Sequence, residues 1–135
     1  MTRIQDKIGE IEKYLDELDE IIPDSIEEYK SSLVMKAACE RYVEKIVEAA
    51  TDLAFITIKS KRLRLPDDDA DAFTVLLENK IIDEEIAKKL RNAKGMKNIV
   101  AHQYGKVDDE IIFESVSEEL GEDMLAFVEV VRKVK

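Results

Sequence analysis

The sequence predicts an all-α protein, an antiparallel up-and-down bundle of about five helices. Apolar residues recur at steps of three and four along most of the chain, and no segment shows the alternation of a strand. Only four glycines and two prolines interrupt the 135 residues, so the helices should be long. We expect a single domain that spans residues 1–135.

The first predicted helix carries one narrow apolar stripe, which suits packing against a long neighbouring helix. Pro23 ends this helix, since proline cannot continue the hydrogen-bond ladder. Ser25 and Glu28 then have the spacing of a capping box for the next helix. The members of the stripe are Ile4, Ile8, Ile11, Leu15, Leu18 and Ile22.

The second predicted helix is the longest and runs from about residue 26 to about residue 59. It is apolar on two sides, and a helix contacted from both sides is the central member of a bundle. One side carries Leu33, Ala37, Val43, Val47, Ala50 and Ala54, and the other carries Val34, Ala38, Tyr42, Ile46, Ala49 and Leu53.

Three further helices complete the predicted bundle. The third is short: residues 66–69 mark a loop and a helix start, the apolar residues lie within 72–77, and the helix should end near residues 79–80. Asp83 is a candidate cap for the fourth, which should end around residues 104–105. Asp108 opens the last helix, whose apolar residues again lie on one face.

Charge and cysteine content limit the class of protein. The net charge of -10 disfavours a nonspecific coat for nucleic acid, although a local basic cleft remains compatible with RNA as a substrate. Cys39 is the only cysteine and cannot form an internal disulfide, which favours a reducing compartment. We find no signal peptide and no apolar segment long enough to span a bilayer, so we expect a cytoplasmic protein.

One segment is basic within this acidic chain. Residues 88–106 contain six lysines or arginines and no acid. The same segment contains His102, the only histidine. Lys97 precedes His102 by five residues and Tyr104 follows it by two. A basic cluster around the one side chain that titrates near neutral pH indicates a functional site.

The spacing within this segment has a geometric consequence. Asn98 and His102 are four residues apart and are therefore neighbours on a helix. Lys97 and His102 are roughly 140° apart around the axis, so one helix does not bring them together. Their convergence needs either a second subunit or fraying of the helix before Gly105.

Residues 95–104 and 107–112 resemble the signature of the HepT-like members of the HEPN superfamily. These are small helical ribonuclease toxins, typically encoded beside a minimal nucleotidyltransferase antitoxin. The similarity covers nearly the whole chain, including the isoleucine-rich first helix and residues 38–41 of the second. It implies a HEPN-like bundle, which agrees with the helical periodicity.

The family pattern is an arginine, four residues, a histidine, one residue and a tyrosine, with an asparagine usually directly after the arginine. Asn98, His102 and Tyr104 match this pattern. Lys97 stands where the family has arginine, which keeps the charge but loses the planar fork that suits a phosphate. Arg91 is an alternative source of a guanidinium, because positions 91, 94, 98 and 102 fall on one helical face.

The resemblance also implies roles. In the family, the arginine and the histidine of two protomers line a cleft at the dimer interface and cleave RNA without a metal. His102 would then act as general base or acid and Lys97 would stabilise the transition state, with Asn98 in support. The partner nucleotidyltransferase would attach adenylate to Tyr104 and silence the toxin. We expect no cofactor and no metal, because a single histidine is too few for a metal cluster.

Simpler explanations exist for each of these residues. His102 is also what a helix C-terminus favours against its dipole. Arg91 and Lys94, the candidate RNA-binding cations, fit equally a solvated helix face. The alternative function is a weakened or inactive helical module that binds a nucleotidyltransferase, and a plain scaffold without an active centre is a third hypothesis.

Overall fold

The computed structural model describes residues 2–102 and 108–134, and within these ranges all regular structure is helical, which confirms the predicted fold class. The elements in chain order are α1 (Arg3–Ile21), α2 (Ile26–Ser31), α3 (Leu33–Ser60), α4 (Asp69–Glu78), α5 (Glu84–His102), α6 (Asp109–Glu114), a π-helical turn (Ser115–Glu119) and α7 (Leu120–Arg132). None of these helices is both long enough and apolar enough to cross a bilayer.

The prediction of one long second helix is wrong at its start. Ser32 adopts an extended conformation with φ -123° and ψ 110°, and this residue separates α2 from α3. Its hydroxyl accepts a hydrogen bond from the Met35 N–H at 3.1 Å and caps α3. The break allows α2 to turn and bury Tyr29 against Phe113, with ring centroids 5.4 Å apart. Burial of the aromatic ring favours two helices over one.

The central position of α3 is confirmed. This helix contacts α1, α2, α4 and α5, and its apolar residues from Val43 onwards are largely buried on both sides. Leu33 and Val34, at its start, are 81% exposed, so the predicted burial is wrong for its first turn. Phe73 of α4 and Phe127 of α7 are the largest fully buried side chains in the core besides Tyr29. Each buried side chain of this size stabilises the fold by roughly 1.5–3 kcal/mol. α5, which carries the candidate site, is held between α3, α4 and α7.

The predicted last helix begins as expected but is interrupted. Asp108 accepts hydrogen bonds from the N–H groups of Glu110 at 2.9 Å and Ile111 at 3.3 Å. The start of α6 is then tied to α3 by an ion pair between Lys36 and Asp109 at 3.1 Å. The π-helical turn follows directly on α6, so the segment expected to be one helix is made of three parts.

Arg64 fixes the loop between α3 and α4. Its guanidinium donates two hydrogen bonds to Asp71, at 2.8 and 3.0 Å, and two to Glu78, both at 3.1 Å. These charge-assisted bonds favour the ionised carboxylate, and they lower the pKa of Asp71 to about 2.

We expect Asp71→Asn to change how stability depends on pH. Because the folded pKa of Asp71 lies below its unfolded value of about 3.9, the carboxylate stabilises the fold above that value. This contribution is lost as the pH falls towards 2. The melting temperature of the variant should lie below wild type at pH 6, and the two should converge near pH 2. Asp19→Asn, at an exposed carboxylate of α1, is the control, and a gap that is constant with pH would contradict the prediction.

Candidate active site

The candidate site lies on the second half of α5. Asp83 caps this helix by accepting a hydrogen bond from the Ile86 N–H at 2.8 Å, as the sequence predicts. Two acids in the first turn and His102 in the last turn both suit the helix dipole. Leu90 and Val100 are among the buried residues that attach α5 to the bundle. The opposite face of α5 is therefore free to present polar groups.

Lys97 faces α3 and lines a polar cleft of about 270 Å³ between α3, the start of α4 and α5. Three carboxylates border the same cleft, those of Glu48, Asp52 and Asp69. Lys94 lies beside Lys97 and forms an ion pair with Asp69 at 3.3 Å. The side chain of Lys94 is only 18% exposed, so Asp69 offsets much of its charge locally. Lys97 is thus in an environment of mixed charge.

Arg91 is directed towards α4, where it donates a hydrogen bond to the Thr74 hydroxyl at 2.7 Å. It lies eleven residues before His102, which corresponds to roughly 16 Å along the helix axis. Within one chain, Arg91 is therefore too distant to share a phosphate with His102. The contacts with Thr74 and Asp69 use part of the hydrogen-bonding capacity of Arg91 and Lys94. That these two side chains bind RNA stays a prediction.

Asn98 and His102 are both exposed and lie on the outer face of α5. Around the helix axis, His102 falls between Asn98 and Ile99. Ile99 is an exposed apolar residue, with 43% of its surface accessible, and Gly95 on the same face is also exposed. The candidate general base therefore lies at the edge between polar and apolar surface.

The helical geometry of α5 keeps the side chains of Lys97 and His102 apart within one chain. α5 remains helical through His102, so the two side chains keep their offset of roughly 140°. The predicted fraying before Gly105 is absent as far as His102, because α5 is helical up to that residue. Residues 103–107 lie outside the described ranges. Tyr104, the predicted modification site, also lies outside them. Within the described residues, α5 alone does not direct Lys97 and His102 at one point.

A larger groove of about 680 Å³ separates the end of α5 from α6, the π-helical turn and α7. Ile99 and Ile111 line it, and Ile111 is 60% exposed. The π-helical turn contributes Ser115 and Glu119 to the opposite wall. The exposed side of the candidate site is thus continuous with apolar surface of a kind that suits a protein contact.

The sequence motif, its position at the exposed end of α5 and the helical bundle agree with a comparison against known families. The family model described as Ribonuclease HepT-like matches residues 11–131. The chain belongs to the HepT-like family. The resemblance expected from the motif around His102 is therefore confirmed.

Individual HepT-like proteins show how far the similarity extends. The mRNA nuclease HepT of Shewanella oneidensis is 24% identical over 129 residues, which cover 96% of both chains. The tRNA nuclease HepT of Aphanizomenon flos-aquae is 26% identical over 84% of this chain and 78% of its own. The tri-AMPylated Shewanella oneidensis HEPN toxin, solved in complex with MNT antitoxin, superposes with a TM-score of 0.91 at 24% identity, covering 99% of this chain and 100% of its own. That last likeness confirms the HEPN fold.

The carboxylates around Lys97 are the part of the site that the sequence did not reveal. Glu48 and Asp52 are separated from Lys97 by more than forty residues along the chain, and only helix packing brings them to the same cleft. Their spacing of four on α3 places them on one face, but an acidic pair at this spacing is ordinary on a solvated helix. No sequence signal distinguished them.

Proposed function

We propose that this HepT-like protein is a metal-independent endoribonuclease, the toxin of a type II toxin-antitoxin pair. The observation that carries the proposal is the position of His102, exposed on the last turn of α5 with Asn98 beside it. Both residues belong to the motif that the chain shares with its family. The names of the Shewanella and Aphanizomenon relatives, an mRNA nuclease and a tRNA nuclease, support RNA as the substrate class.

In the proposed reaction, His102 takes the proton of a ribose 2′-hydroxyl. The 2′-oxygen attacks the adjacent phosphorus, and the bond from phosphorus to the 5′-oxygen breaks. The leaving oxygen takes up a proton, either from solvent or from the protonated ring, so the products are a cyclic phosphate and a 5′-hydroxyl. Lys97 stabilises the negative charge that develops on the non-bridging oxygens. Asn98, one turn before His102, helps to orient the ring or the phosphate.

The proposal includes a homodimer built on the outer face of α5. The offset between Lys97 and His102 means that one chain does not direct both side chains at one phosphate. Ile99, on the same face as His102, and Ile111, which lines the same groove as Ile99, are exposed apolar residues that supply surface for a contact. Gly95 is exposed in the centre of the same face, and apart from its chain neighbours and its own helical backbone no described residue has an atom within 4 Å of a Cβ built there. A glycine that the monomer does not require fits the close approach of a second helix.

Gly95→Ala should weaken the dimer while stabilising the helix. Alanine is favoured over glycine inside a helix by about 1 kcal/mol, so the monomer gains stability. The added methyl group keeps the partner helix at a distance, and we expect the dimer dissociation constant to rise about tenfold or more, an effect of roughly 1.4 kcal/mol. Sedimentation equilibrium over a dilution series measures it. Gly9→Ala and Gly121→Ala, which also meet open space, are the matched controls. Equal dissociation constants in all three variants would exclude Gly95 from the interface.

We also propose a minimal nucleotidyltransferase as the antitoxin, with Tyr104 as the residue that it adenylylates. The Shewanella HEPN toxin was solved with an MNT antitoxin in a tri-AMPylated state, which supports this partner and this chemistry. Tyr104 follows His102 by two residues, so added phosphates would compete for cations at the site and block access to His102. The intact mass of wild type and Tyr104→Phe after incubation with a nucleotidyltransferase and ATP tests the assignment.

A second function has a specific observation in its favour. Lys97 replaces the family arginine and lies in a cleft with three carboxylates. Lysine lacks the planar fork of arginine, and the carboxylates compete with a phosphate for its positive charge. A chain weakened in this way would keep the nucleotidyltransferase contact and lose cleavage.

The two functions are separated by incubating purified protein with RNA in excess EDTA and analysing the new ends. New 5′-hydroxyl ends support the nuclease. Intact RNA, together with adenylylation by a nucleotidyltransferase, supports the binding module.

A further inference from the structure

A separate groove of about 610 Å³ lies where α1 begins and where α3 and α7 end. We call it the basal groove. Ile99, in the last turn of α5, lines the same groove as Asp108, and the neighbouring Asp109 pairs with Lys36 in the first turn of α3. The basal groove is at the last turn of α3. It is therefore at the end of the bundle away from His102. Counting residues along α3 and α5 from the cleft at Lys97 places it roughly 20–25 Å from His102 along the bundle axis.

Three cations line the basal groove: Arg3, Lys59 and Arg132. No carboxylate is among the described residues that line it, whereas the two grooves at α5 both contain several. Arg132 forms ion pairs with two carboxylates outside the groove, Glu12 at 2.8 Å and Glu129 at 3.6 Å. Among the described residues, Arg3 and Lys59 take part in no ion pair. In a chain with a net charge of -10, this is an unusual concentration of positive charge.

Helix dipoles explain only part of this charge. Lys59 and Arg132 lie in the last turns of α3 and α7, where a cation is favoured. Arg3 lies in the first turn of α1, where the dipole disfavours a cation. One helix start and two helix ends sum to about half a negative charge, against the positive charges of Arg3 and Lys59, since carboxylates already pair with Arg132. The groove therefore keeps a surplus of positive charge.

We propose that the basal groove binds the phosphate backbone of the RNA substrate, some nucleotides away from the bond cleaved at His102. The inference rests on the proposed ribonuclease function, since it assigns a second contact to the same substrate. At about 3.4 Å per phosphate, the distance from His102 corresponds to about six or seven nucleotides of a stacked strand. Phe55 lines the cleft at Lys97 and Ile56 lines the basal groove, so neighbouring residues of α3 border both sites.

The test uses full-length protein carrying His102→Ala, so that binding is measured without cleavage. Two labelled single-stranded RNAs serve as probes, one of about 14 nucleotides, which is twice the span, and one dinucleotide. For the longer RNA, Arg3→Ala with Lys59→Ala should reduce the slope of log affinity against log salt by about 1.4, because each phosphate contact on a single strand contributes about 0.7. If the two proteins bind this RNA equally at 1 M salt, the affinity of the double variant should be about 25-fold lower than that of its parent at 0.1 M salt. The dinucleotide, whose single phosphodiester lies between Lys97 and His102, should bind both proteins equally.

Lys13→Ala with Lys80→Ala is the matched control, because it removes two exposed cations outside the groove and changes the net charge equally. An unchanged slope for the longer RNA, or an equal loss in the control, would overturn the inference even where wild type cleaves RNA. If wild type does not cleave RNA but Arg3→Ala with Lys59→Ala still reduces the salt slope, the basal groove remains an RNA-binding site and the ribonuclease proposal is refuted.

Discussion

His102→Ala is expected to reduce RNA cleavage roughly 10³-fold. Positioned general acid–base catalysts contribute about 10²- to 10⁴-fold, and the chain has no second histidine to replace this one. The side chain is exposed, so its removal leaves no cavity and no buried partner without a hydrogen bond. The cleavage rate of a labelled RNA under single-turnover conditions measures the effect.

Asn92→Ala is the control for this prediction, because it removes an exposed polar side chain from the same helix. Both variants should melt within a few degrees of wild type, since surface substitutions usually change stability by less than about 0.5 kcal/mol. Cleavage by His102→Ala at the wild-type rate would exclude His102 from the reaction. Its position in the last turn of α5 would then be explained by the helix dipole alone.

The second large effect is expected from mixing two inactive variants. Lys97→Ala and His102→Ala should each cleave poorly. When the cation of one protomer acts with the histidine of the other, a mixed dimer contains one site with both residues and one with neither. Random exchange makes half of the dimers mixed, so about a quarter of the wild-type sites should return.

Subunit exchange is verified by co-purification of two differently tagged variants, and single-turnover cleavage is then measured on the mixture. Recovery near a quarter supports a site shared between protomers. No recovery in a mixture that demonstrably exchanges would place Lys97 and His102 in one chain, or would remove Lys97 from the reaction. The helical offset between these residues within one protomer favours the shared site.

The fold was largely predictable because helical periodicity and capping agree along most of the chain. The stripe of α1, the cap at Asp83 and the cap at Asp108 all correspond to observed features. The break at Ser32 was not predictable, because it depends on the burial of Tyr29 against Phe113 of a distant helix. Serine tolerates both a helix interior and an N-cap, so local propensity does not decide between them.

The site was predictable in its motif but not in its surroundings. The spacing of four residues between Asn98 and His102 predicts that they share one face of α5. The carboxylates that border the cleft of Lys97 come from α3 and α4, and tertiary packing alone brings them there. The same limit applies to the basal groove, whose cations come from the start of one helix and the ends of two others.

The central claim, that this HepT-like protein is a ribonuclease whose charge-stabilising residue is a lysine, is tested most directly by RNA cleavage in excess EDTA. Wild type and Lys97→Arg are compared at equal concentration. We expect wild type to cleave, and Lys97→Arg to cleave about tenfold faster, because the guanidinium forms two parallel hydrogen bonds to a phosphate. A faster arginine variant beside an inactive wild type would favour the binding module. RNA left intact by both proteins would contradict the account.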